Sequence, residues 1–254
     1  MNSLLTEKIR AAHAAGRLGL IPFLPAGYPD KTRFWEEIAG LDKGGADVIE
    51  IGMPFSDPVA DGPVVEAASL KALDLGVNLS WILTELAKRR SGIQAGIVLM
   101  GYLNPVLQYG LERFAKDAAG AGVNGLILAD LPFEEAGPVR AALEANGLDL
   151  IPLVGLNTNR ERMGLYAKNA RGFAYFVSVL GTTGERTSLP AEVRQGLALA
   201  KEVFSIPLAL GFGIKSPEQL VELRGQVDAA VFGSSLIKHL DEGGNSAGFM
   251  ARWT

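Results

Sequence analysis

The sequence predicts an α/β protein, a (β/α)8 TIM barrel with an extra helix before its first strand. Eight short apolar runs recur along the 254 residues, and each is nearly continuous in aliphatic residues and phenylalanine, as in parallel strands covered on both faces. Amphipathic segments separate these runs, and several of them end at a glycine. Repeated βα units have right-handed crossovers, and eight of them are enough to close a barrel.

The predicted strands cover residues 20–24, 48–51, 97–100, 125–129, 150–154, 173–179, 207–211 and 229–232. The predicted helices cover residues 3–15, 32–39 with Thr32 as the cap, 111–119, 134–145, 159–170, 191–204 and 217–224, and a last helix opens at Gly233. A doubly wound open sheet is the alternative fold. The eight units and the absence of Gly-x-Gly-x-x-Gly after the first strand count against it.

One barrel accounts for the whole chain, residues 1–254, because barrels of this class routinely reach about 250 residues as a single domain. The 24 basic and 28 acidic residues give a net charge of −4 without long runs of like charge, which argues against binding to nucleic acid or to a membrane surface. Charged residues in the first helix interrupt any apolar signal segment, so we expect a cytoplasmic protein. The lack of cysteine excludes a disulfide framework, a thiol nucleophile and a Cys-ligated zinc.

Glu50 is the first candidate for chemistry, because it interrupts the otherwise apolar strand 48–51. Burial disfavours an ionised carboxylate and raises its pKa towards neutrality, which is the condition for a general acid or base. The alternative is a structural glutamate that pairs with an arginine or with a loop, although no arginine lies in any predicted strand core.

The longest connection joins the strands at 48 and 97, and its excess length follows the second strand in a segment rich in Pro, Gly and Asp. Such a segment at the C-terminal end of a barrel strand is the usual place for catalysis. It contains Asp57 and Asp61, each of which can also simply make a turn. Because Glu50 and Asp61 bracket one strand end, the two carboxylates can face one ligand and divide acid and base roles.

Glycines follow the last three predicted strands and indicate a phosphate site. The segments are 181–184, 211–213 and 233–235. Glycines let backbone N–H groups approach an anion, and the last segment also opens a helix, whose dipole favours negative charge. The alternative is that these glycines only end strands, yet barrels often bind phosphate with the loops after strands seven and eight.

No histidine, lysine or metal site lies where the predicted barrel would use it for catalysis. His13 and His239 fall in the first and last helices, and no lysine lies within a predicted strand. The lysine nearest to a predicted strand is Lys215, which either contacts the phosphate group or is a solvated residue at the start of a helix. A Schiff-base aldolase therefore lacks its nucleophile and a metal aldolase lacks its ligands. If this barrel cleaves a C–C bond in a sugar phosphate, carboxylates must do it, and the substrate must supply its own electron sink.

Apolar and aromatic residues at the strand ends suit a flat apolar ligand, although the same residues can simply fill the barrel. They are Phe23, Met100, Tyr102, Ile127, Tyr175, Phe212 and Phe232. The hydroxyl groups of Tyr102 and Tyr175 need partners, which favours a pocket position for these two.

Residues 49–63, Ile-Glu-Ile-Gly-Met-Pro-Phe-Ser-Asp-Pro-Val-Ala-Asp-Gly-Pro, resemble the signature of the tryptophan synthase alpha chain family. The resemblance continues over almost the whole chain, at Pro22-Phe23, 26–29, Tyr102 with Asn104-Pro105, 129–132, Gly181 with 183–184, and 211–214. Many relatives have an arginine where this chain has Val179, which bears on closure of the loop after the sixth strand. Relatives often have Pro-Asp where this chain has Ala129-Asp130. Neither of these sequence differences affects Glu50 or Asp61.

The resemblance implies a (β/α)8 lyase that splits indole-3-glycerol phosphate into indole and glyceraldehyde 3-phosphate. It implies that Glu50 protonates indole C3 and takes the glycerol hydroxyl proton, while Asp61 holds the ring N–H. It also implies substrate contacts at Phe23, Tyr102, Tyr175, Thr183, Gly184, Phe212, Gly213, Gly233 and Ser234.

The resemblance further implies a partner, a beta chain that carries pyridoxal phosphate in an alpha2-beta2 complex, with no cofactor or metal in this chain. Pro54, Phe55, Asp57 and Asn104 are expected to face that partner, with Phe55 exposed or nearly so. Two alternatives stay open. One is a stand-alone lyase that needs no partner, and the other is a catalytically silent barrel kept as a regulatory subunit. The presence of both carboxylates weighs against the second.

Overall fold

The computed structural model describes residues 3–178, 189–211 and 213–253, and the strands in these parts of the chain form one curled parallel sheet. They are β1 (Gly19–Pro25), β2 (Val48–Gly52), β3 (Gly96–Gly101), β4 (Gly125–Leu128), β5 (Asp149–Leu150), β6 (Leu153–Gly155), β7 (Ala174–Val177), β8 (Leu208–Gly211) and β9 (Ala229–Phe232). Their order is β5-β4-β3-β2-β1-β9-β8-β7-β6, so the two ends of the sheet are strands that follow each other in the chain.

The sheet closes between β5 and β6, which are the two halves of the predicted fifth strand. The Ile151 N–H donates to the Leu126 carbonyl on β4 at 3.0 Å, and the Pro152 carbonyl accepts from the Tyr175 N–H on β7 at 2.9 Å. The predicted strand 150–154 is nevertheless wrong in its continuity, because Pro152 has no N–H to give to the ladder. The predicted (β/α)8 barrel is confirmed, and the open sheet is ruled out.

Helices connect the strands on the outside. They are α1 (Leu4–Ala14), α2 (Lys31–Lys43), α3 (Pro63–Asp74), α4 (Leu79–Arg89), α5 (Leu103–Tyr109), α6 (Leu111–Gly120), α7 (Gly137–Glu144), α8 (Arg160–Ala167), α9 (Ala191–Val203), α10 (Gln219–Leu223), α11 (Ser234–Asp241) and α12 (Ser246–Met250). Within the described residues, none of them combines the length and the apolar character needed to cross a membrane.

Four helical features differ from the prediction, the first of which is that α5 (Leu103–Tyr109) was not predicted at all. Thr32 is not the cap of α2, because the Asp30 carboxylate accepts the N–H groups of Thr32 and Arg33 at 2.9 Å each, so the helix begins earlier and runs on to Lys43. The excess length between β2 and β3 contains two helices, α3 and α4, as well as a loop. The predicted last helix, α11, is followed by α12.

Helix α1 closes the N-terminal end of the barrel. Leu5 and Ile9 are fully buried among the inward-facing side chains of the strands. A Cβ atom on Gly96 or Gly125, which begin β3 and β4, would lie 2.7 or 3.0 Å from the Leu5 side chain. Glycine at both positions therefore leaves room for Leu5. Because one end of the barrel is filled, the C-terminal end is left for a site.

Candidate active site

A cavity of about 440 Å³ opens into the barrel, and the main candidate residues lie around it. Glu50 reaches it from β2 and Tyr175 from β7. Asp61 borders it just before α3, and Gly233 with Ser234 borders it where α11 begins. Residues far apart in the sequence therefore meet at one space, because parallel strands present their C-terminal ends on the same side of the barrel.

Phe23 on the cavity wall is held between two glycines. It pairs with Glu50 in the register of β1 and β2. A Cβ atom on Gly52 or on Gly233 would come within 2.7 Å of the Phe23 ring. The missing side chains at both positions leave space for the ring between the end of β2 and the start of α11.

Glu50 is fully buried, and neither of its carboxyl oxygens has a hydrogen-bond partner among the described residues. Burial raises its pKa to about 8, so the carboxyl group is protonated at neutral pH. The structural ion pair considered as an alternative is not formed with any described residue. An unpaired acid on a cavity wall is placed to exchange a proton with a ligand.

Asp61 is partly buried, and burial raises its pKa, while a hydrogen bond with Tyr102 opposes the rise and the Glu66 carboxylate adds to it. The Tyr102 hydroxyl also accepts the Ala60 N–H at 3.0 Å. Tyr102 therefore holds the end of the loop that carries Asp61. Tyr102 lines a smaller pocket, which adjoins the main cavity and shares Phe23, Asp61 and Met100 with it. Tyr102 itself does not line the main cavity.

Tyr175 lies beside Glu50 inside the barrel. Burial raises its pKa well above the ordinary value, and the Glu50 carboxylate adds to this. A side chain on Gly211 of the neighbouring strand would collide with the Tyr175 ring, so glycine is needed there. Of the other apolar candidates, Met100 and Phe232 line the cavity, whereas Ile127 only fills the barrel.

The start of α11 forms the polar end of the cavity. The Ser234 position exposes the first N–H groups of the helix, which have no partner within the helix itself. Gly213 borders the same end with a φ of +87°, a conformation that favours glycine. Ser235, the last residue of the predicted phosphate segment 233–235, also lines the cavity, and its buried hydroxyl has no hydrogen-bond partner among the described residues. Thr183, Gly184 and Phe212, like Val179, lie outside the described residues.

Charged side chains also line the mouth of the cavity, and sequence reasoning missed all of them except Lys215. Lys215, Lys238 and Arg252 line the cavity, and so do Glu242 and His239. Lys215 had been left open as a phosphate contact, while His239 was assigned only to a helix. Among the described residues, no group of three or more acidic, histidine or cysteine side chains is arranged to hold a metal ion.

The residues expected to face a partner do not share one environment. Asp57 and Asn104 are exposed, while Pro54 is half-buried. Phe55, expected to be exposed or nearly so, is half-buried, because its ring packs on Tyr102 with the ring centres 5.2 Å apart. Two exposed apolar side chains in the same loop and in α5 were missed, Val59 at 83% and Leu107 at 53% exposure.

Comparisons with known proteins show the family to which this chain belongs. The family profile described as tryptophan synthase alpha chain matches residues 9–252. A tryptophan synthase alpha chain of Maridesulfovibrio salexigens is 66% identical over 249 residues, which cover 98% of each chain. One of Solidesulfovibrio magneticus is 63% identical over 251 residues, covering 99% of this chain and 98% of the relative.

A solved structure extends the agreement to three dimensions. A chain in a structure of Mycobacterium tuberculosis tryptophan synthase superposes with a TM-score of 0.91 at 34% identity, covering 100% of this chain and 97% of that one. Sequence and fold thus agree over essentially the full length. The chain therefore belongs to the tryptophan synthase alpha chain family, and it is a lyase that cleaves indole-3-glycerol phosphate in tryptophan biosynthesis.

Proposed function

We propose that Glu50 and Asp61 carry the cleavage, in one catalytic domain formed by residues 1–254. The observation that carries this proposal is their position on one cavity that also reaches the start of α11. One end offers two carboxyl groups among apolar side chains, and the other offers backbone N–H groups at the start of α11 that no side chain caps among the described residues. An indole ring with a phosphorylated side chain matches such a division.

The proposed steps balance without any group beyond these residues. Glu50, protonated in the free protein, gives its proton to indole C3. The ring then accepts the electron pair of the bond between C3 and the glycerol carbon. As that bond breaks, the Glu50 carboxylate takes the proton of the hydroxyl on the same carbon, which leaves an aldehyde and restores the acid. Asp61 accepts the ring N–H and stabilises the positive charge that develops there.

The remaining contacts orient the substrate. Phe23 and Tyr175 flank the ring from β1 and β7, and a hydrogen bond with Tyr102 holds Asp61 in position. Gly213, Gly233 and Ser234 bind the phosphate group through backbone N–H groups, with Thr183, Gly184 and Phe212 as further contacts. The Ser235 hydroxyl, buried and unpaired among the described residues, supports this end as the polar one.

The phosphate assignment predicts that Ser234→Asp raises the KM at least about tenfold. An aspartate in the first turn of a helix favours the helix dipole, so α11 keeps its fold, but the added charge repels a phosphate dianion. A steady-state indole-release assay and titration with glycerol 3-phosphate measure the effect. Substitution of Gly213 is a poorer test, because its φ of +87° strains any other side chain.

Thr32→Asp is the matched control, since it places the same charge in the first turn of α2 at an exposed position outside the cavity. We expect this variant to keep the wild-type affinity. If Ser234→Asp bound glycerol 3-phosphate as tightly as the wild type, the phosphate group would have to lie elsewhere.

The family assignment implies a beta-chain partner, and we propose that it docks as an alpha2-beta2 complex on the face formed by Pro54, Phe55, Asp57 and Asn104. The exposed Val59 and Leu107 support this face, because exposed apolar side chains are typical of protein contacts. Asp130 accepts the Leu103 N–H at 2.8 Å and so fixes the start of α5, which carries Asn104. The pyridoxal phosphate belongs to the beta chain, and we place the complex in the cytoplasm.

A beta chain is expected to stimulate a weakly active isolated chain about tenfold or more, the gain if the competent loop state starts at about ten per cent. Asp57→Ala and Asn104→Ala should reduce this stimulation more than the basal rate, whereas Asp74→Ala, exposed at the far end of α3, should not. Indole release measured with and without the beta chain checks this. A fully active isolated chain that ignores a beta chain would favour the stand-alone lyase.

A further inference from the structure

The cavity continues past the start of α11, further than the proposed substrate contacts need. Ser234 and Lys238 lie four residues apart on one face of α11, and Glu242, which follows the last residue of the helix, continues the same line, and all three border the cavity. At 1.5 Å per residue, this face runs about 12 Å from the first turn towards solvent. Arg252, just after α12, and Lys215, after β8, border the same space.

The charged side chains along this stretch are mostly positive. Lys215, Lys238 and Arg252 are exposed, and none of them forms a salt bridge with a described carboxylate. Glu242 is the acid that lines the same stretch, and Glu218 interacts electrostatically with Arg252. Three cations against these two carboxylates still leave a positive mouth on a chain whose net charge is −4.

Of the two catalytic carboxyl groups on the cavity, Glu50 holds its proton in the free protein, so Asp61 is the negative one that an approaching substrate meets. An anionic substrate is therefore repelled by the net charge of the chain and by Asp61. Cations at the mouth offset that repulsion and raise the local concentration of a dianion, an effect that weakens as salt shortens the range of the field.

We propose that Lys215, Lys238 and Arg252 form a cationic gateway that captures the phosphate end of the substrate and passes it along α11 to the first turn. The three residues act through the field before the phosphate is bound, as positioning residues outside the catalytic pair. This inference rests on the proposed phosphate position at the start of α11.

The test is the triple variant Lys215→Gln, Lys238→Gln and Arg252→Gln in the full chain, probed with glycerol 3-phosphate. Titrations are run at ionic strengths of about 0.01 M and about 1 M, where the field extends about 30 Å and about 3 Å. We expect the triple variant to bind about tenfold more weakly than the wild type at low salt and equally well at high salt. In the indole-release assay the loss should appear in KM rather than in kcat.

Three controls make the result specific. Lys116→Gln removes an exposed lysine of α6 outside the cavity and should keep the wild-type salt dependence. Lys238→Arg retains the charge and should retain the affinity. Binding of indole, which is neutral, should be the same in the wild type and in the triple variant.

Two outcomes would overturn the gateway. In one, the triple variant keeps the wild-type affinity at both ionic strengths. In the other, it loses the same factor at both, which would mean direct contacts and no capture by the field. If Ser234→Asp kept the wild-type affinity while the triple variant lost affinity at low salt alone, the proposed phosphate position would fail and capture by the three cations would stand, so the two failures can be distinguished.

Discussion

Glu50→Gln is expected to lower turnover by at least about 100-fold, the lower end for the loss of a general acid and base. The amide has nearly the same volume as the acid but no proton to give to indole C3. Because the Glu50 oxygens make no hydrogen bonds with described residues, the substitution breaks no pairing that holds the barrel together. The substrate KM should therefore change much less than kcat. Steady-state indole release with a saturating beta chain measures both.

The pH profile tests the same residue without a mutation. With a pKa of about 8, Glu50 carries its proton at neutral pH and loses it above that value. We expect kcat/KM to fall with rising pH above about 8, approaching tenfold per pH unit, because only the protonated free protein can start the cleavage. The substrate phosphate titrates near pH 6 and cannot produce this limb.

Stability provides an independent reading of the Glu50 pKa. The folded protein holds the Glu50 proton up to a pH of about 8, whereas a glutamate in the unfolded chain releases it near 4.5. Between these values the folded state binds more protons, so the contribution of Glu50 to stability declines as the pH rises and is lost above about 8. Wild-type stability measured by denaturant unfolding should thus fall relative to Glu50→Gln across this range.

The control for Glu50 is Glu112→Gln, the same change at an exposed site on α6, which should leave the rate and both pH dependences unaltered. A Glu50→Gln enzyme with more than a tenth of the wild-type activity would remove Glu50 from the mechanism. A wild-type kcat/KM that stays flat well above pH 8 would contradict its role as the acid.

The strands and Glu50 were predictable because each can be recognised from the residue pattern of one short segment. The run 229–232 coincides with β9, since a strand covered on both faces must be apolar throughout. Glu50 stands out for the same reason, as a charge inside such a run. The break at Pro152 was missed because its effect depends on which neighbours the strand pairs with, and this is decided by barrel closure.

Features that depend on two distant segments could not be predicted in this way. Phe55 is half-buried because Tyr102, which follows β3, supplies the ring it packs on. Lys238 and Arg252 look like any solvated cations in the sequence, and only the fold brings them to one mouth. The four-residue spacing from Ser234 to Lys238 was the one available signal, and it acquires meaning only when Ser234 is known to border the cavity.

Asp61→Asn is expected to lower kcat by about 100- to 1000-fold, as for the loss of a group that stabilises charge in the transition state. An asparagine oxygen still accepts the indole N–H but brings no negative charge to the ring when C3 has been protonated. Tyr102→Phe should have a smaller effect in the same direction, because it removes the hydroxyl that bonds to Asp61 and to the Ala60 N–H.

The matched control is Asp74→Asn, which makes the same change at the exposed far end of α3 and should not affect indole release. Asp61 also lies in the loop directly before α3, so a loop that lost its shape would lower the rate by another route. Titration with glycerol 3-phosphate distinguishes the two, since a loss of ring stabilisation alone leaves phosphate affinity intact. Wild-type kcat in Asp61→Asn would reduce this carboxylate to a structural part of the loop and leave the stabilisation of the indole ring to other groups.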